Sequence, residues 1–447
     1  MRPVFHIVNF GCQMNTHDSD WLKKTLRLEG FPEAQTPEEA DIVLINTCSV
    51  REKPEQKVYE LISWLDSINP GILIGVGGCL AVQVGSGLFE RSSSVRLLFN
   101  SDTLSVVPEE LKHLMTDQEK RLNLISFPVF YTERKTVLPT KAEASAFVNI
   151  MQGCDNSCAY CIVPYVRGRQ RSRHMEEILT ECATLVEHGV KEITLLGQNV
   201  NSWAQDLWPK AGRKSFFTEL LKALSKLDKL RRIRFTTSHP KDLSDDIISA
   251  FTELPKLCPH LHLPLQSGSD KILNAMGRKY DMPRYRALAA ALRRARPDIS
   301  ITTDLIVGFP GETDQDFRDT LTAIKDLAFD ASFSFKYNDR PGVPSASLPG
   351  KIAEKVKAER LAKLQELQTG FTSTALQRMV GLKTEVLLEK ESRKQDAARN
   401  SWQGRDPHNY VVNVCLPQPH NLIGVTLPVH ITEAKRHSLI GEPEIGI

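Results

Sequence analysis

The sequence predicts an α/β protein built as three parts in series: an open parallel α/β domain over 1–128, a partial (βα)6 barrel over 146–378 and a small β-barrel over 379–447. Three observations predict it. Apolar, strand-like runs alternate with amphipathic helical stretches from the start of the chain to residue 337, the pattern of βαβ units and parallel sheets. A polar, aperiodic segment at 129–145, "VFYTERKTVLPTKAEAS", interrupts the alternation and reads as a linker. Beyond 378, short strands follow one another without helices between them, which suits a small closed barrel.

In the first part the strand-like runs are "HIVNF", "DIVLINT" and "ILIGVGG", with helical stretches at 17–29 and 52–67. Each run ends on a cysteine: "NFGC" at Cys12, "INTC" at Cys48 and "VGGC" at Cys79. A lone cysteine at a strand end reads as a small buried residue. Three in the same structural position point to a site, because the carboxyl ends of parallel strands share one edge, where ligands bind. In the second part, strands are expected at 147–151, 192–197, 232–237, 261–265, 299–307 and 332–337, with helices at 175–188, 216–227, 243–253, 282–296 and 314–328. Such repeats close as a partial barrel with its chemistry at the carboxyl ends of the strands. A charged helix is expected over 351–378, and then the strands "TEVLLEKES", "NYVVNVC" and "GVTLPVHITEAK".

Composition narrows the function. A net charge of +3, from 57 basic and 54 acidic residues, names no partner, so binding of nucleic acid must be sought in local clusters. No apolar run approaches the roughly 20 residues that cross a bilayer. The chain starts in "VFHIVNF" without a basic stretch, an apolar segment and a small-residue cleavage site, so a cytoplasmic location is expected. Nine cysteines in a reducing compartment turn the expectation from disulfides to metal or redox chemistry.

The densest cluster is "GCDNSCAYC", which places Cys154, Cys158 and Cys161 at a strand end in C-x3-C-x2-C spacing. A closed metal site takes four protein ligands, and no fourth cysteine lies near; zinc would need a Cys or His from another loop. The motif, in its place after the first barrel strand, resembles that of the radical S-adenosylmethionine (SAM) enzymes. The resemblance implies a 4Fe-4S cluster on three thiolates, with the amine and carboxylate of SAM on the fourth iron. "AFVNIMQGCDNSCAYCIVPYVRGRQRSR", "LLGQNVNSW", "TSHP", "HLPLQSGS" and "TDLIVGFPGET" resemble the methylthiotransferase branch of that family, as do "GCQMN", "NTCSVREK" and "GGC" in the first part.

That branch implies a second 4Fe-4S cluster on Cys12, Cys48 and Cys79, which holds the sulfur to be transferred. A first SAM methylates that sulfur, and a second yields a 5′-deoxyadenosyl radical. The implied reaction places a methylthio group at carbon 2 of N6-isopentenyladenosine at position 37 of tRNA, beside the anticodon. Tyr160 stands where the family has an aromatic residue near the adenine of SAM, with packing under the loop as its alternative role. Gln198, Asn199, Ser238, Gln266 and Asp304 fall at the ends of expected barrel strands, where they suit SAM or substrate or else backbone capping. Gly308 suits either close approach to the adenine or a plain turn.

Arg167, Arg169, Arg171 and Arg173 follow the cysteine loop and suit RNA phosphates, or, for one of them, the SAM carboxylate; a solvated surface run is the alternative. Gln170 stands where the family usually has an acidic residue, and His174 where it has proline. The last part resembles the TRAM domain, an RNA-binding module, with Lys390, Arg393, Lys394, Arg399 and Arg405 as its basic residues. Cys182, Cys258 and Cys415 have no suitably spaced partners and read as packing. The implied partners are tRNA and an electron donor of the flavodoxin or ferredoxin type; the sulfur donor is not legible, and a monomer is expected. Open alternatives are a branch that modifies a ribosomal-protein aspartate, one that modifies threonylcarbamoyladenosine in tRNA, and a non-catalytic iron–sulfur RNA-binding protein. "NTCSVREK" and "GQNVNSW" favour the tRNA branch.

Overall fold

Alternation of apolar runs and amphipathic helices produces layered α/β structure when successive strands pair in parallel. The computed structural model describes residues 3–48, 52–138, 142–208, 216–392, 400–416 and 421–444. The first part runs β1 (Phe5–Phe10), α1 (Gln13–Leu28), β2 (Ile42–Thr47), α2 (Glu52–Ile68), β3 (Leu73–Gly78), α3 (Cys79–Val84), β4 (Val95–Phe99), α4 (Val107–Thr116) and β5 (Leu122–Leu124). Among the described residues these strands form one parallel sheet in the order β1-β2-β3-β4-β5. Every residue of β2, β3 and β4 is buried, because helices cover both faces. Ile42 and Leu44 pack with Leu22, Leu26, Leu111 and Leu114 of α1 and α4, whereas Val43 and Ile45 pack with Val58, Ile62 and Leu80 of α2 and α3. That is the two-residue period of a strand. Sequence reading missed β4, whose apolar run is broken by Arg96, and the three-residue β5.

The second part runs β6 (Ser145–Asn149), β7 (Met151–Gln152), α5 (Val163–Val166), β8 (Arg171–Ser172), α6 (Met175–Glu187), β9 (Glu192–Leu196), α7 (Phe217–Ser225), β10 (Arg232–Phe235), α8 (Asp245–Glu253), β11 (His260–His262), α9 (Asp270–Ala275), α10 (Met282–Ala295), β12 (Ser300–Val307), α11 (Asp314–Leu327) and β13 (Ala331–Lys336). The long strands pair in parallel as β6-β9-β10 and β11-β12-β13, and an Ile233–Leu257 bridge lies beside the gap between the two sets. The short β7 and β8 pair antiparallel and pinch the base of the cysteine loop.

A long helix, α12 (Glu354–Gln377), leads to β14 (Lys383–Glu391), β15 (Asn400–Arg405), β16 (Val411–Leu416), β17 (Thr426–Ala434) and β18 (Leu439–Pro443). These close a barrel in the order β14-β15-β16-β18-β17. Strands β15 and β18 escaped the sequence reading because "NSWQGR" and "LIGEP" lack apolar alternation. The small barrel docks at the amino ends of the parallel strands. Arg232, first in β10, donates to the Arg405 and Glu385 carbonyls, each at 2.7 Å, and Arg234 to those of Pro407 at 2.8 Å and Asp406 at 2.7 Å. Among the described residues no helix is long and apolar enough to cross a membrane.

A candidate active site between two cysteine sets

The first cysteine set grows from one rung of the sheet. Phe10, Thr47 and Gly78 are register partners at the carboxyl ends of β1, β2 and β3. Cys12 lies just beyond that rung as the cap of α1, Cys48 follows β2, and Cys79 begins α3. The turn after β1 is tied to β2 by Asn15, whose Nδ2 donates to Asn46 Oδ1 and the Thr47 carbonyl, both at 2.8 Å. Gly78 has a φ of +82°, and a Cβ there would sit 2.3 Å from the Thr47 carbonyl oxygen, so only glycine lets the end of β3 lie this close to the end of β2. The Cys12 thiol donates to Asn15 Oδ1 at 3.2 Å. A hydrogen bond from the Cys48 side chain holds the Cys12 pKa down to about 5, and the Arg167 charge assists it.

The second set lies in the loop that β7 and β8 close. Gly153 has a φ of +77°, and a Cβ there would lie 2.0 Å from the Arg169 carbonyl oxygen, so the loop folds flat on its own return segment. Gln198 Oε1 accepts the Gly153 N–H at 2.7 Å and anchors the loop to the end of β9. Asn156 points its backbone N–H and its Nδ2 at Cys154 Sγ, at 3.4 and 3.5 Å. Arg278 points Nη1 at Cys158 Sγ (3.5 Å) and at the Tyr160 hydroxyl (3.3 Å). Burial pushes the Cys161 thiol up to about 12, with the neighbouring Cys158 adding to the shift. All three cysteines line an open cavity of ≈ 260 Å³ together with Tyr165 and Arg169.

Arg167, six residues after Cys161, carries the second loop to the first. Its Nη1 donates to Ser101 Oγ at 2.8 Å, its Nη2 lies 3.5 Å from Asn15 Oδ1, and its charge lies beside Cys79. Cys79, Ser101, Asp102, Gln152 and Arg167 line one small cavity between the two domains. Among the described residues no disulfide joins any of the nine cysteines, and no three His, Cys, Asp or Glu side chains close on a single metal ion. The donor chemistry suits iron–sulfur clusters: each set offers three thiols and no fourth, beside a buried guanidinium that balances thiolate charge. Orphaned oxygens support a further ligand. Ser238 Oγ, Asn199 Oδ1 and Gln152 Oε1 are buried without partners just past the ends of β10, β9 and β6. A buried acceptor left unmade costs about 1–3 kcal/mol, which a bound ligand would recover.

The remaining expected residues divide. Tyr160 is in the loop and packs beside Phe309 and Tyr337. Gln266, at a φ of +76°, uses its backbone to bridge to β12. Asp304 lies in the middle of β12 rather than at its end, 3.5 Å from His262 Nε2. The Gly308 N–H bonds Glu312 Oε2 at 2.7 Å, and the Lys357 stem fills the space beside its Cα, so a turn and close packing account for this glycine. Three of the four arginines expected to face RNA do not lie at the surface. Arg167, Arg171 and Arg173 are buried, and Arg171 pairs with Asp102 at 2.9 Å while Arg173 pairs with Glu133 and Glu181. The charge of Arg171 and Arg173 is spent on carboxylates of the first domain, the linker and α6. Arg169 is 89% exposed, and Arg405 is partly exposed beside Glu389. Arg393, Lys394 and Arg399 lie outside the described residues, and Lys390 stands on β14. Cys182 and Cys258 are buried, and Cys415 faces Ser401.

Sequence reading missed Asp18, Ser101, Asp102, Arg134 and Arg278. Asp18 accepts from Ser101 Oγ at 2.6 Å and from Arg134 Nη2 at 3.0 Å, which joins the first domain to the linker. "FNSD", at the end of β4, carried a signal, since it occupies the same edge as the three cysteines.

Comparisons with known proteins match this architecture. Family models match in three places: the Radical SAM superfamily over residues 148–324, the uncharacterized protein family UPF0004 over 4–100 and the TRAM domain over 377–443. The tRNA-2-methylthio-N(6)-dimethylallyladenosine synthase of Nitratidesulfovibrio vulgaris is 52% identical over 443 residues, covering 98% of each chain. That of Lawsonia intracellularis is 47% identical over 456 residues and covers 100% of both chains. Among solved structures, a radical S-adenosylmethionine methyltransferase from Kitasatospora setae with cobalamin and a 4Fe-4S cluster aligns over 77% of each chain with a TM-score of 0.56. At 14% identity that likeness concerns the fold alone. With relatives near half identity along its whole length, the chain belongs to the radical SAM methylthiotransferase family, on the branch of the tRNA-2-methylthio-N(6)-dimethylallyladenosine synthases.

Proposed function

We propose that this protein inserts a methylthio group at carbon 2 of N6-isopentenyladenosine at position 37 of tRNA. One 4Fe-4S cluster is held by Cys154, Cys158 and Cys161 and a second by Cys12, Cys48 and Cys79, with SAM as co-substrate. The observation that supports this reading most is the approach of the two cysteine loops at one junction, where Arg167, six residues beyond Cys161, lines a small cavity with Cys79. When bound, the clusters and SAM supply the 5′-deoxyadenosyl radical that removes hydrogen from carbon 2 and the methylthio group that replaces it.

The chain supplies placement, because one carbon has to meet two reagents in turn and a misplacement of an ångström is costly. Gln198 and Gly153 set the height of the second loop, and Asn15 with Asn46 sets that of the first. Arg278 donates toward Cys158 and balances its charge. Asn199 Oδ1 and Ser238 Oγ serve as acceptors for SAM or the adenine. A base in the anticodon loop reaches such a cavity by splaying out of its stack, which single strands permit at low cost. A flavodoxin- or ferredoxin-type reductant, a cytoplasmic location and a monomeric chain complete the reading.

Nucleoside mass spectrometry tests it. Anaerobically reconstituted protein, given SAM, a low-potential reductant and tRNA bearing N6-isopentenyladenosine, should convert that nucleoside to its 2-methylthio form. Modification of threonylcarbamoyladenosine or of a ribosomal-protein aspartate in its place overturns the assignment.

A further inference from the structure

Arg167 is buried to 5% exposure, and a buried guanidinium must find an anion. Its carboxylate partner, Asp18, is 3.9 Å away and stands closer to Arg134, at 3.0 Å, while also accepting from Ser101. Asp18 is therefore largely satisfied by other groups. What remains in front of the guanidinium is the first cysteine set: Cys79, which lines the same small cavity, and Cys12, whose thiol meets the same Asn15 Oδ1 at 3.2 Å. Neighbouring Arg171 and Arg173, from the same "VRGRQRSR" run, differ, since each has its own carboxylate partner.

The rest of the Arg167 setting is rigid. Its backbone N–H bonds the Val163 carbonyl at 2.8 Å, which ties it to α5 and through α5 to the Cys158–Cys161 loop. Ser101 Oγ and Asn15 Oδ1 hold two nitrogens of the fork on the opposite domain. Three thiolates around a four-iron core leave a net negative charge that grows on reduction, and hydrogen bonds to the sulfurs raise the reduction potential. A fixed cation beside those sulfurs acts in the same direction.

We propose that Arg167 is a positioning residue for the auxiliary cluster: it donates to the Cys79 thiolate, raises the reduction potential of that cluster and holds it against the loop of the other. This inference rests on the two-cluster reading above.

The test uses full-length protein reconstituted anaerobically, with iron analysis and a potentiometric titration followed by electron paramagnetic resonance. A variant with Cys12, Cys48 and Cys79 replaced by Ala identifies which signal belongs to the auxiliary cluster. Arg167→Gln is expected to keep about eight irons per chain and to move the auxiliary potential to more negative values, leaving the other cluster unmoved. It is also expected to continue forming 5′-deoxyadenosine while methylthiolated product falls at least tenfold. Arg167→Lys, which keeps the charge, should recover most of the potential. Arg171→Gln breaks the adjacent Asp102 pair and should leave the potential where it was.

An unshifted auxiliary potential in Arg167→Gln at full iron content overturns the proposal, as does an equal shift in Arg171→Gln, which would mark the effect as loosening of the junction. If Arg167→Gln loses the auxiliary iron, Arg167→Lys decides: retention of iron and potential supports the proposal, and loss of both overturns it. Wild-type protein that binds only about four irons refutes the two-cluster reading instead, so the two failures are distinguishable.

Discussion

A methyl group added at residue 153 meets the Arg169 carbonyl oxygen at 2.0 Å on a backbone already at positive φ. Positive φ alone costs a non-glycine residue about 1–3 kcal/mol, and the clash adds to it. Gly153→Ala is therefore expected to keep the fold of the first domain but fail to close the second cysteine loop. Iron per reconstituted chain should drop from about eight to about four, and SAM cleavage should vanish. Cys48→Ala acts on the other set: 5′-deoxyadenosine continues to form from SAM, and 2-methylthio nucleoside disappears from the mass spectrum. Retained methylthiolation in that variant would remove Cys48 from its proposed role. Both cysteine patterns were legible from short stretches, because a strand and the residue after it are covalent neighbours. The role of Gln198 was not: its contact to the Gly153 N–H spans 45 residues.

At the scale of elements, the small C-terminal barrel is fastened by polar groups rather than by a shared apolar core. His408 lies 3.2 Å from both Asp298 and Asp406, and Tyr410 donates to Asp330 at 2.9 Å. Burial disfavours the charged imidazole, but the two carboxylates outweigh it and raise the His408 pKa above the ordinary value. A raised folded-state pKa means stability that is fully present below the unfolded value, about 6.5, and is lost as pH rises through the folded one. The thermal midpoint of the C-terminal barrel should exceed that of His408→Gln at pH 6, and the gap should shrink toward pH 9. A pH-independent gap would show that packing, not charge, does the fastening. Removing Arg234 is harsher, since Glu192 at 2.9 Å and two carbonyls lose their donor. Arg234→Ala should cost about 3–5 kcal/mol in denaturant unfolding, the usual effect of breaking a buried pair.

Across the whole molecule, the cysteine edge and the C-terminal barrel stand at opposite ends of the parallel strands. Strand β12 has eight residues, so at about 3.3 Å each the separation is about 25 Å. One base cannot contact both ends, whereas a folded stem-loop can. Charge at the cysteine edge is carried by Arg169, not by its buried neighbours, and this predicts a division in salt dependence. Arg169→Gln should reduce the slope of log affinity for tRNA against log salt by about one, while Arg173→Gln lowers stability and leaves the slope unchanged. Equal slopes for wild type and Arg169→Gln would exclude Arg169 from phosphate contact. The run "VRGRQRSR" looked like an RNA surface because a charge pattern does not reveal which carboxylates will meet it. Arg167 finds Ser101 across 66 residues, and Arg171 finds Asp102 across 69.

The sequence by itself determined the three-part architecture, the strand ends that carry Cys12, Cys48 and Cys79, and the loop of Cys154, Cys158 and Cys161. Strand and helix periods, turn residues and ligand spacing are local properties, written within about ten residues. Only the tertiary structure decided that Arg167 faces the first cysteine set, that Arg171 and Arg173 are neutralised and that the C-terminal barrel caps the amino ends. Those outcomes depend on which buried charges packing brings together, and the cost of leaving a buried charge unpaired is what selects them.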